Sequence, residues 1–570
     1  MGQIRYNVNA DFYPEELDWL EEKIKAYRSG GISNEELLEL RLSFGIYRQR
    51  DHSSHMFRQR IPAGKMTAHY MDVLSDITEQ YSNSEAHVTT RQDIQLHYVP
   101  LEVAPQCLRT VYEECGMINK GACGDGVRNV KCDYLAGVDP NEVFNPQPYA
   151  LAAGDFFAFH PHNLNFGRKF KPSFTANEDW NQGQTDIDCL GFVAREKNGK
   201  KGWKVTVGGG LGASPFKPKT LFEFMPVGKT LLLCDALVRI FQRMGERKNR
   251  NRARMKYLVE SLGEERFREI VEEEMEIQSE GWDYEAELEE RMADHEPIER
   301  DTADPVDESA KDPAKLFPED DQAQQWTRCQ VHDQKQDGYA SVVAYLPLGD
   351  MDPTQMRRLA DISRNYGSGE LRTTAQQHIA LPWVKWEDIP EVYERLESID
   401  LNEAGHERTY DVTACYAENC DLALIGARQI ARITQKRLLD EFGSQTMSED
   451  VRVRVDGCFN ACAQHQIADI GFTGVVVKNP SEDGPPKFPY YNMTVGGGEG
   501  DEYDLGEKYH GKVPMEGVPD VCVSLIDDYI NWRSNGESFQ DYFDEVGEDH
   551  VETVVSEACD YLEAGESLEA

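Results

Sequence analysis

The chain repeats itself, and that constrains its fold more than any other feature. The segment TTRQDIQLHYV at 89–99 returns as TTAQQHIALPWV at 373–384, an offset of 284 residues. Both have the period-2 character of a strand. Each follows an earlier strand (55–62; 339–347) and a helical stretch (67–81; 353–366). Each precedes an acidic amphipathic segment, LEVAPQCLRTVYEE or WEDIPEVYERLE. A second pair, DIDCLGFVA…WKVTVGGGLG at 186–212 and IADIGFTGV…YNMTVGGGEG at 467–500, recurs in the same order, with its VGGG stretches offset by 288. Ordered recurrence at nearly one offset marks a duplication of about 250–280 residues per copy. A chain of 570 residues needs several cores in any case.

Duplication lets each copy serve as a control for the other. Arg91 in the first faces Ala375 in the second, so the first keeps the cation. The second carries cysteine pairs that the first lacks, Cys415 with Cys420 and Cys458 with Cys462. An active centre between the halves follows, with cations from one and thiolates from the other. Two close pairs about 40 residues apart suit a metal centre. Zinc ribbons prefer a tighter C-x₂-C, whereas the corners of an iron–sulfur cubane accept wider spacing. On the cysteines alone iron–sulfur leads, with zinc and unligated thiols left open.

The first copy also presents Arg58 and Arg60 on one strand, Arg91 on the next, Arg128 in GDGVRNVKC, and Arg168, Lys169 and Lys171 in GRKFKPSF. In an extended strand Lys169 and Lys171 point to one face, around Phe170. Two adjacent ammonium groups repel unless an anion lies between them. Any one of these cations is explained by ordinary salt bridging, but the set is not. Other motifs carry less. VGKT at 227–230 has Glu223 where a phosphate loop needs Gly, and reads as a helix start. VGGGLG reads as a strand-end turn, and RKNRNRARMK at 247–256 as a solvated or cofactor-facing helix. His97, His160 and His162 lack the C-x-x-C-H of c-type haem attachment.

Lys and Arg number 60 against 102 Asp and Glu, a net charge of −42. Such a surface excludes nucleic acid and anionic membranes as partners. No apolar run approaches the ~20 residues of a membrane span, and the first residues lack a signal-peptide pattern. The expected compartment is the cytoplasm, where the 13 cysteines stay reduced.

Together these segments resemble the sirohaem-containing sulfite and nitrite reductases over nearly the whole chain. The carriers are M-x-R-x-R at 56–60, T-x-R-Q-x-x-Q at 89–95, R-N-V at 128–130, R-K-F-K at 168–171 and cysteine pairs ending in C-x-N-x-C. The resemblance implies a sirohaem and a 4Fe–4S cluster, held by Cys415, Cys420, Cys458 and Cys462, with the Cys462 thiolate shared between cluster and haem iron. It implies that Arg58, Arg128, Lys169 and Lys171 hold the substrate anion, and that Arg91, Gln95 and Asn460 contact the sirohaem or its surroundings. In sulfite-reducing members two lysines stand at 169 and 171, whereas plant-type nitrite reductases put Asn at the second place. Two departures stand out. The first cysteine loop has four intervening residues instead of five, and Phe459 replaces the usual Pro. A Tyr that some relatives cross-link to Cys is His55 here, so no cross-link is implied.

The expected fold is α+β, internally duplicated, with two pseudo-symmetric halves. Each half has a ferredoxin-like half-domain and a sirohaem/Fe–S-type α/β domain. The expected boundaries are an N-terminal helical segment (1–50), half-domain one (51–115), α/β domain one (116–262), an acidic helix and linker (263–325), half-domain two (326–400), the 4Fe–4S/sirohaem domain (401–540) and an acidic tail (541–570). Ser33 and Glu36 are spaced as a helix capping box. The expected function is six-electron reduction of sulfite to sulfide, with nitrite to ammonia as the alternative; a zinc-stabilised anion-binding protein is the reading from another class. No flavin or nicotinamide motif is visible, so an external donor, a ferredoxin or a separate flavoprotein, is expected.

The acids are spread along the whole chain, which favours a halophilic adaptation over one docking face. The melting midpoint is therefore expected to rise as monovalent salt goes from millimolar to molar, because screening relieves carboxylate repulsion. A flat or falling midpoint across that range would point to a specific acidic docking surface instead.

Overall fold

The computed structural model describes residues 12–164, 166–295, 307–443, 451–478, 487–534 and 536–563. Residues 301–306 of the expected linker lie outside them. Two five-stranded antiparallel sheets form the centre, and each copy lends the other an edge. Lys65–Thr67 of the first copy pairs with Glu370–Thr373 of the second, and Asp350–Met351 of the second with Ala86–Val88 of the first. The helices Ala68–Tyr81 and Pro353–Tyr366 pack together over one apolar core that holds Met71 and Leu74 beside Met356 and Leu359. The two half-domains are therefore one folding unit.

Alternation along the strands separates core from cavity. In Ile94–Val99, Ile94 and Leu96 enter the core while Gln95 and His97 face the opposite side. In His55–Gln59, Phe57 is core, and Met56 and Arg58 face the cavity. Equivalent turns place the register at 285 residues: Gly64 matches Gly349, and Gln92 matches Gln377. The Thr89 N–H donates to Asp93 O at 2.9 Å, as Thr374 does to His378 O. Arg91 is thus matched by Gln376 and not by Ala375, because the turn closes one residue later in the second copy. The counterpart is still neutral.

Each α/β domain has a short parallel pair followed by antiparallel strands: Pro172–Thr175 with Leu190–Lys197, then Lys200–Val207 and Lys219–Pro226. In the second copy Val453–Asp456 runs parallel to Ile470–Lys478, followed by Lys487–Val495. Both VGGG stretches are strand-end turns, with φ of 78° at Gly208 and 70° at Gly496. The halves meet where Gln184 and Gln464 exchange reciprocal amide hydrogen bonds of 2.9 and 2.7 Å.

Several local expectations change. Glu264–Ser279 and Tyr284–Ala293, within the stretch assigned to helix and linker, bury Phe267, Val271 and Leu288 in the core of the first α/β domain. Apolar residues at helical spacing carry that packing despite the surrounding acids. The tail likewise docks: Phe539–Glu563, kinked at Gly547, places Tyr542 and Val551 in the second core. Residues 247–256 are not a helix; a 3₁₀ turn at Arg250–Arg252 precedes a helix that begins only at Met255. VGKT does lead into the helix Thr230–Met244, and the Ser33–Glu36 capping box is formed. No described helix is long and apolar enough to cross a membrane.

Gln92 ties the halves together. Its Nε2 donates to Cys132 O at 2.8 Å and to Thr373 O at 2.9 Å, and its Oε1 accepts from Cys132 N at 3.0 Å. Gln92→Ala leaves these buried backbone groups unpaired, at about 1–3 kcal/mol for each unsatisfied group. A loss of several kcal/mol is expected, read as a lower urea midpoint. A midpoint within error of the parent would show that the amide is dispensable.

Candidate active site

All eleven residues singled out as site residues line one cavity of about 1000 Å³ between the halves. The first copy supplies Arg58, Arg91, Gln95, Arg128, Lys169 and Lys171; the second supplies Cys415, Cys420, Cys458, Asn460 and Cys462.

The cations are held by main chain and by one carboxylate. Arg128 Nε and Nη2 donate to Gly124 O at 3.1 and 2.9 Å, and its Nη1 reaches Ala122 O at 3.2 Å. Arg58 Nη1 donates to the same Ala122 O at 3.3 Å, so two guanidinium groups converge on one carbonyl. Gln95 lies directly across the ladder from Arg58. With its amide oxygen turned inward, it accepts from Arg58 Nε at 3.0 Å and Nη2 at 2.5 Å. Arg91 Nη1 grips both oxygens of buried Asp188 at 3.0 and 3.1 Å, and Nη2 donates to Pro172 O at 2.8 Å. Burial alone would push the Asp188 carboxyl up, but Arg91 and Lys131 overcome it and hold the group below its ordinary range. Arg91 is thus anchored from behind, and its turn carries it into the cavity wall.

Lys169 and Lys171 flank Phe170, which is fully buried in the core. The bridge between Val127 and Phe170 keeps this segment extended, so both lysines face the cavity, as the alternation requires. Neither ammonium has a hydrogen bond or ion pair among the described residues. Burial and neighbouring cations depress both: Lys169 falls to about 8, and Lys171 lies well below its ordinary value. A bound anion would reverse this. Arg60, by contrast, faces away from the cavity and is spent on Lys120 O and Gly154 O.

The thiols sit opposite. Cys415 accepts from the Gly457 N–H at 3.2 Å, which ties one cysteine pair to the other. Asn460 Nδ2 approaches Cys458 Sγ at 3.5 Å, and Thr90 Oγ1 donates to Cys462 O at 2.7 Å, linking the cation turn to the thiol loop. The short first loop is closed by the Cys420 N–H donating to Ala417 O. Burial raises Cys415 and Cys458, the latter to about 11, so these thiols ionise readily only against a metal. A roomy cavity, ammonium groups without acceptors and four convergent thiols fit a polycarboxylate tetrapyrrole beside an iron–sulfur cluster.

Asp93 and Cys123, which sequence reasoning did not single out, also line the wall, as does His97, set aside there as a haem ligand. His97 stacks on Tyr416 at 3.6 Å between ring centroids. Its place on the cavity face was readable from alternation with Leu96, whereas Cys123 had no signal beyond its nearness to Arg128. His160 serves structure, paired with Asp235 at 2.7 Å.

Fold and site together define a duplicated α+β protein whose central cavity sets cations of one half against cysteines of the other. The profile described as the nitrite and sulphite reductase 4Fe-4S domain matches residues 123–279 and 404–560, and the nitrite/sulfite reductase ferredoxin-like half domain matches 47–113 and 332–399. The chain belongs to the nitrite and sulphite reductase family. It is an oxidoreductase acting on sulfite or nitrite, and its cofactors are sirohaem and a 4Fe–4S cluster. It is 29% identical over 527 residues to a chloroplastic ferredoxin–nitrite reductase of Spinacia oleracea, covering 87% of this chain and 79% of that one. It is 26% identical over 550 residues to sulfite reductase [ferredoxin] 1 of Mycolicibacterium paratuberculosis, covering 92% and 91%. The solved structure of Mycobacterium tuberculosis NirA protein superposes with a TM-score of 0.77 at 23% identity, over 95% of this chain and 97% of that one, a likeness of fold.

Cys462→Ser is expected to lower iron to well under half the parent content and to abolish the spectroscopic coupling of cluster and haem. Cys107→Ala, in the half-domain core, is expected to spare both. Full iron and unchanged coupling in Cys462→Ser would remove this cysteine from the ligand set.

Proposed function

We propose that the enzyme reduces sulfite to hydrogen sulfide with six electrons from an external ferredoxin-type donor. The observation that carries this reading is the pair Lys169 and Lys171, two half-buried lysines that line one cavity with no acceptor among the described residues. Near neutral pH sulfite is partly dianionic and bulkier than nitrite, so a second ammonium favours it. When bound, the cofactors supply the electrons and the iron at which the oxyanion is reduced. In this reading Cys415, Cys420, Cys458 and Cys462 would hold the cluster, and Cys462 would also serve the sirohaem. Arg58, Arg128, Lys169 and Lys171 bind and orient the oxyanion, and Arg91, Gln95 and Asn460 frame the cofactors. Charge held in place before the reaction stabilises developing charge at no reorganisation cost. Both relatives are named for ferredoxin, which supports that class of donor. A cluster-holding thiol set suits the reducing cytoplasm. Nitrite reduction to ammonia is the second reading, supported by the spinach relative.

Lys171→Asn tests the choice. An added charge at ~4 Å is worth about 4 kcal/mol at an effective dielectric near ~20 before desolvation, so a net preference of about 1–2 kcal/mol is reasonable. The variant is expected to lose about five- to thirtyfold in kcat/KM for sulfite relative to nitrite. Equal losses on both substrates would end the charge-selection argument. A parent enzyme far better with nitrite at matched donor supply would establish the second reading.

A further inference from the structure

Asp93 falls at an unspecified position of the T-x-R-Q-x-x-Q strand, yet it forms part of the cavity wall. It is 2% exposed, and its Oδ1 meets no hydrogen-bond donor among the described residues. Its main chain is pinned at both ends, the N–H donating to Thr89 Oγ1 at 3.1 Å and the carbonyl accepting from Thr89 N at 2.9 Å. These bonds fix the turn that sets the carboxyl in the cavity wall. Oδ2 lies 3.9 Å from Arg58 Nε, beyond hydrogen-bond reach, and that guanidinium is already taken by Gln95 and Ala122 O. Arg60, Arg91 and Arg128 face it from neighbouring segments, and the Tyr70 phenol from the helix behind.

The other carboxylates of the wall differ. Asp125 is bound to Arg250, whereas Glu15, Glu16 and Glu39 stand on the helices at the mouth. A buried carboxylate without donors favours its protonated form. Here burial prevails over four guanidinium groups and pushes Asp93 up to about 6.

The reaction needs such a group. Sulfite with six electrons and eight protons gives hydrogen sulfide and three waters; nitrite with six electrons and eight protons gives ammonium and two waters. Each oxygen that leaves takes two protons, and the arginines hold theirs at any working pH. We propose that Asp93 is a proton-donating catalytic residue of this cavity. Its carboxyl O–H delivers a proton, directly or through one water, to a substrate oxygen as the S–O or N–O bond breaks. The bond's electron pair leaves with the oxygen, two electrons from the ferredoxin-class donor replace it on sulfur or nitrogen, and the carboxylate takes a new proton from water at the mouth. The proposal rests on this cavity as the oxyanion-reducing site, but not on which oxyanion it takes.

The test compares parent, Asp93→Asn and Asp93→Glu holoenzymes. In substrate-free parent enzyme, the infrared carbonyl band of a protonated carboxylic acid is expected to titrate at or above about pH 6, to vanish in Asp93→Asn and to persist, shifted, in Asp93→Glu. The kcat/KM profile of the parent is expected to fall as pH rises through the same region, with sulfite and with nitrite. Asp93→Asn is expected to lose that limb and about 10²-fold in kcat, and Asp93→Glu to restore the limb. The proposal is overturned if no Asp93-dependent band titrates above about pH 5, or if Asp93→Asn keeps the parent's pH limb. If Asp93→Asn fails to load its cofactors, the shifted band and limb of Asp93→Glu decide. An Asp93-dependent limb with nitrite in an enzyme that does not turn over sulfite would defeat the sulfite reading and uphold this one.

Discussion

Everything in this structure depends on the exchange by which each half completes the other. Asp350–Met351 closes the first sheet and Lys65–Thr67 the second. Gln92 and Gln377 then reach across the join, the first to Thr373 O and the second to Val88 O, both at 2.9 Å. Unpaired buried main chain is costly, so neither half-domain has a satisfied edge alone. The exchange also explains why the turns carry backbone that few residues tolerate. Gly64 has φ of 68°, and a Cβ there would lie 2.5 Å from Thr373 O. With the half-domains locked, the two α/β domains have one relative position, and the cavity between them inherits it.

That fixed placement sets like charges side by side on one wall. Taking an ion out of water costs several kcal/mol unless partners replace the hydration. Arg58 and Arg128 are repaid largely by carbonyl and amide oxygens, which orient a guanidinium without neutralising it. Arg91 alone has a full carboxylate, Asp188. Opposite Asp188, in the register set by the Gln184–Gln464 pair, the second copy has Ala468, and opposite Arg91 it has neutral Gln376. Cation and counter-ion are thus both present in one copy and both replaced by neutral residues in the other, as expected of a pair whose members are harmful singly. Lys169 and Lys171 have no such compensation, so the wall keeps a net demand for negative charge.

Where local chemistry decides, the sequence was readable. Repetition revealed the two halves, and alternation around Phe170 placed Lys169 and Lys171 on one face. The Ser33–Glu36 box formed because its partners are three residues apart and need nothing else. What could not be read depends on distant packing. The acid-rich residues 264–293 read as helix outside either domain, since nothing local shows that Phe267 and Leu288 join the core of the helix Thr230–Met244. Residues 247–256 lack a helical start because Arg250 and Arg254 are drawn to Asp125 and Leu211 O, contacts far away in sequence. The one-residue slip that set Arg91 against Ala375 is invisible in a string, as both registers align a threonine pair; only the turn hydrogen bonds distinguish them.

The same turns show how a duplicated scaffold divides its work. Asp93 and His378 occupy equivalent positions, each accepting at its carbonyl from a threonine N–H four residues back. His378 is satisfied on both ring nitrogens, by the Leu346 N–H at 3.2 Å and Asp411 at 2.9 Å, and it lies outside the cavity. Asp93 faces the cavity and is left without a donor. One fold thus holds a buried titratable group twice, completing its hydrogen bonds where it only supports structure and withholding them where it borders the chemistry. Stability alone would favour satisfying both. The carboxyl oxygen without a donor and the lysines without acceptors across the wall are the groups that the proposed reduction of an anion would draw on.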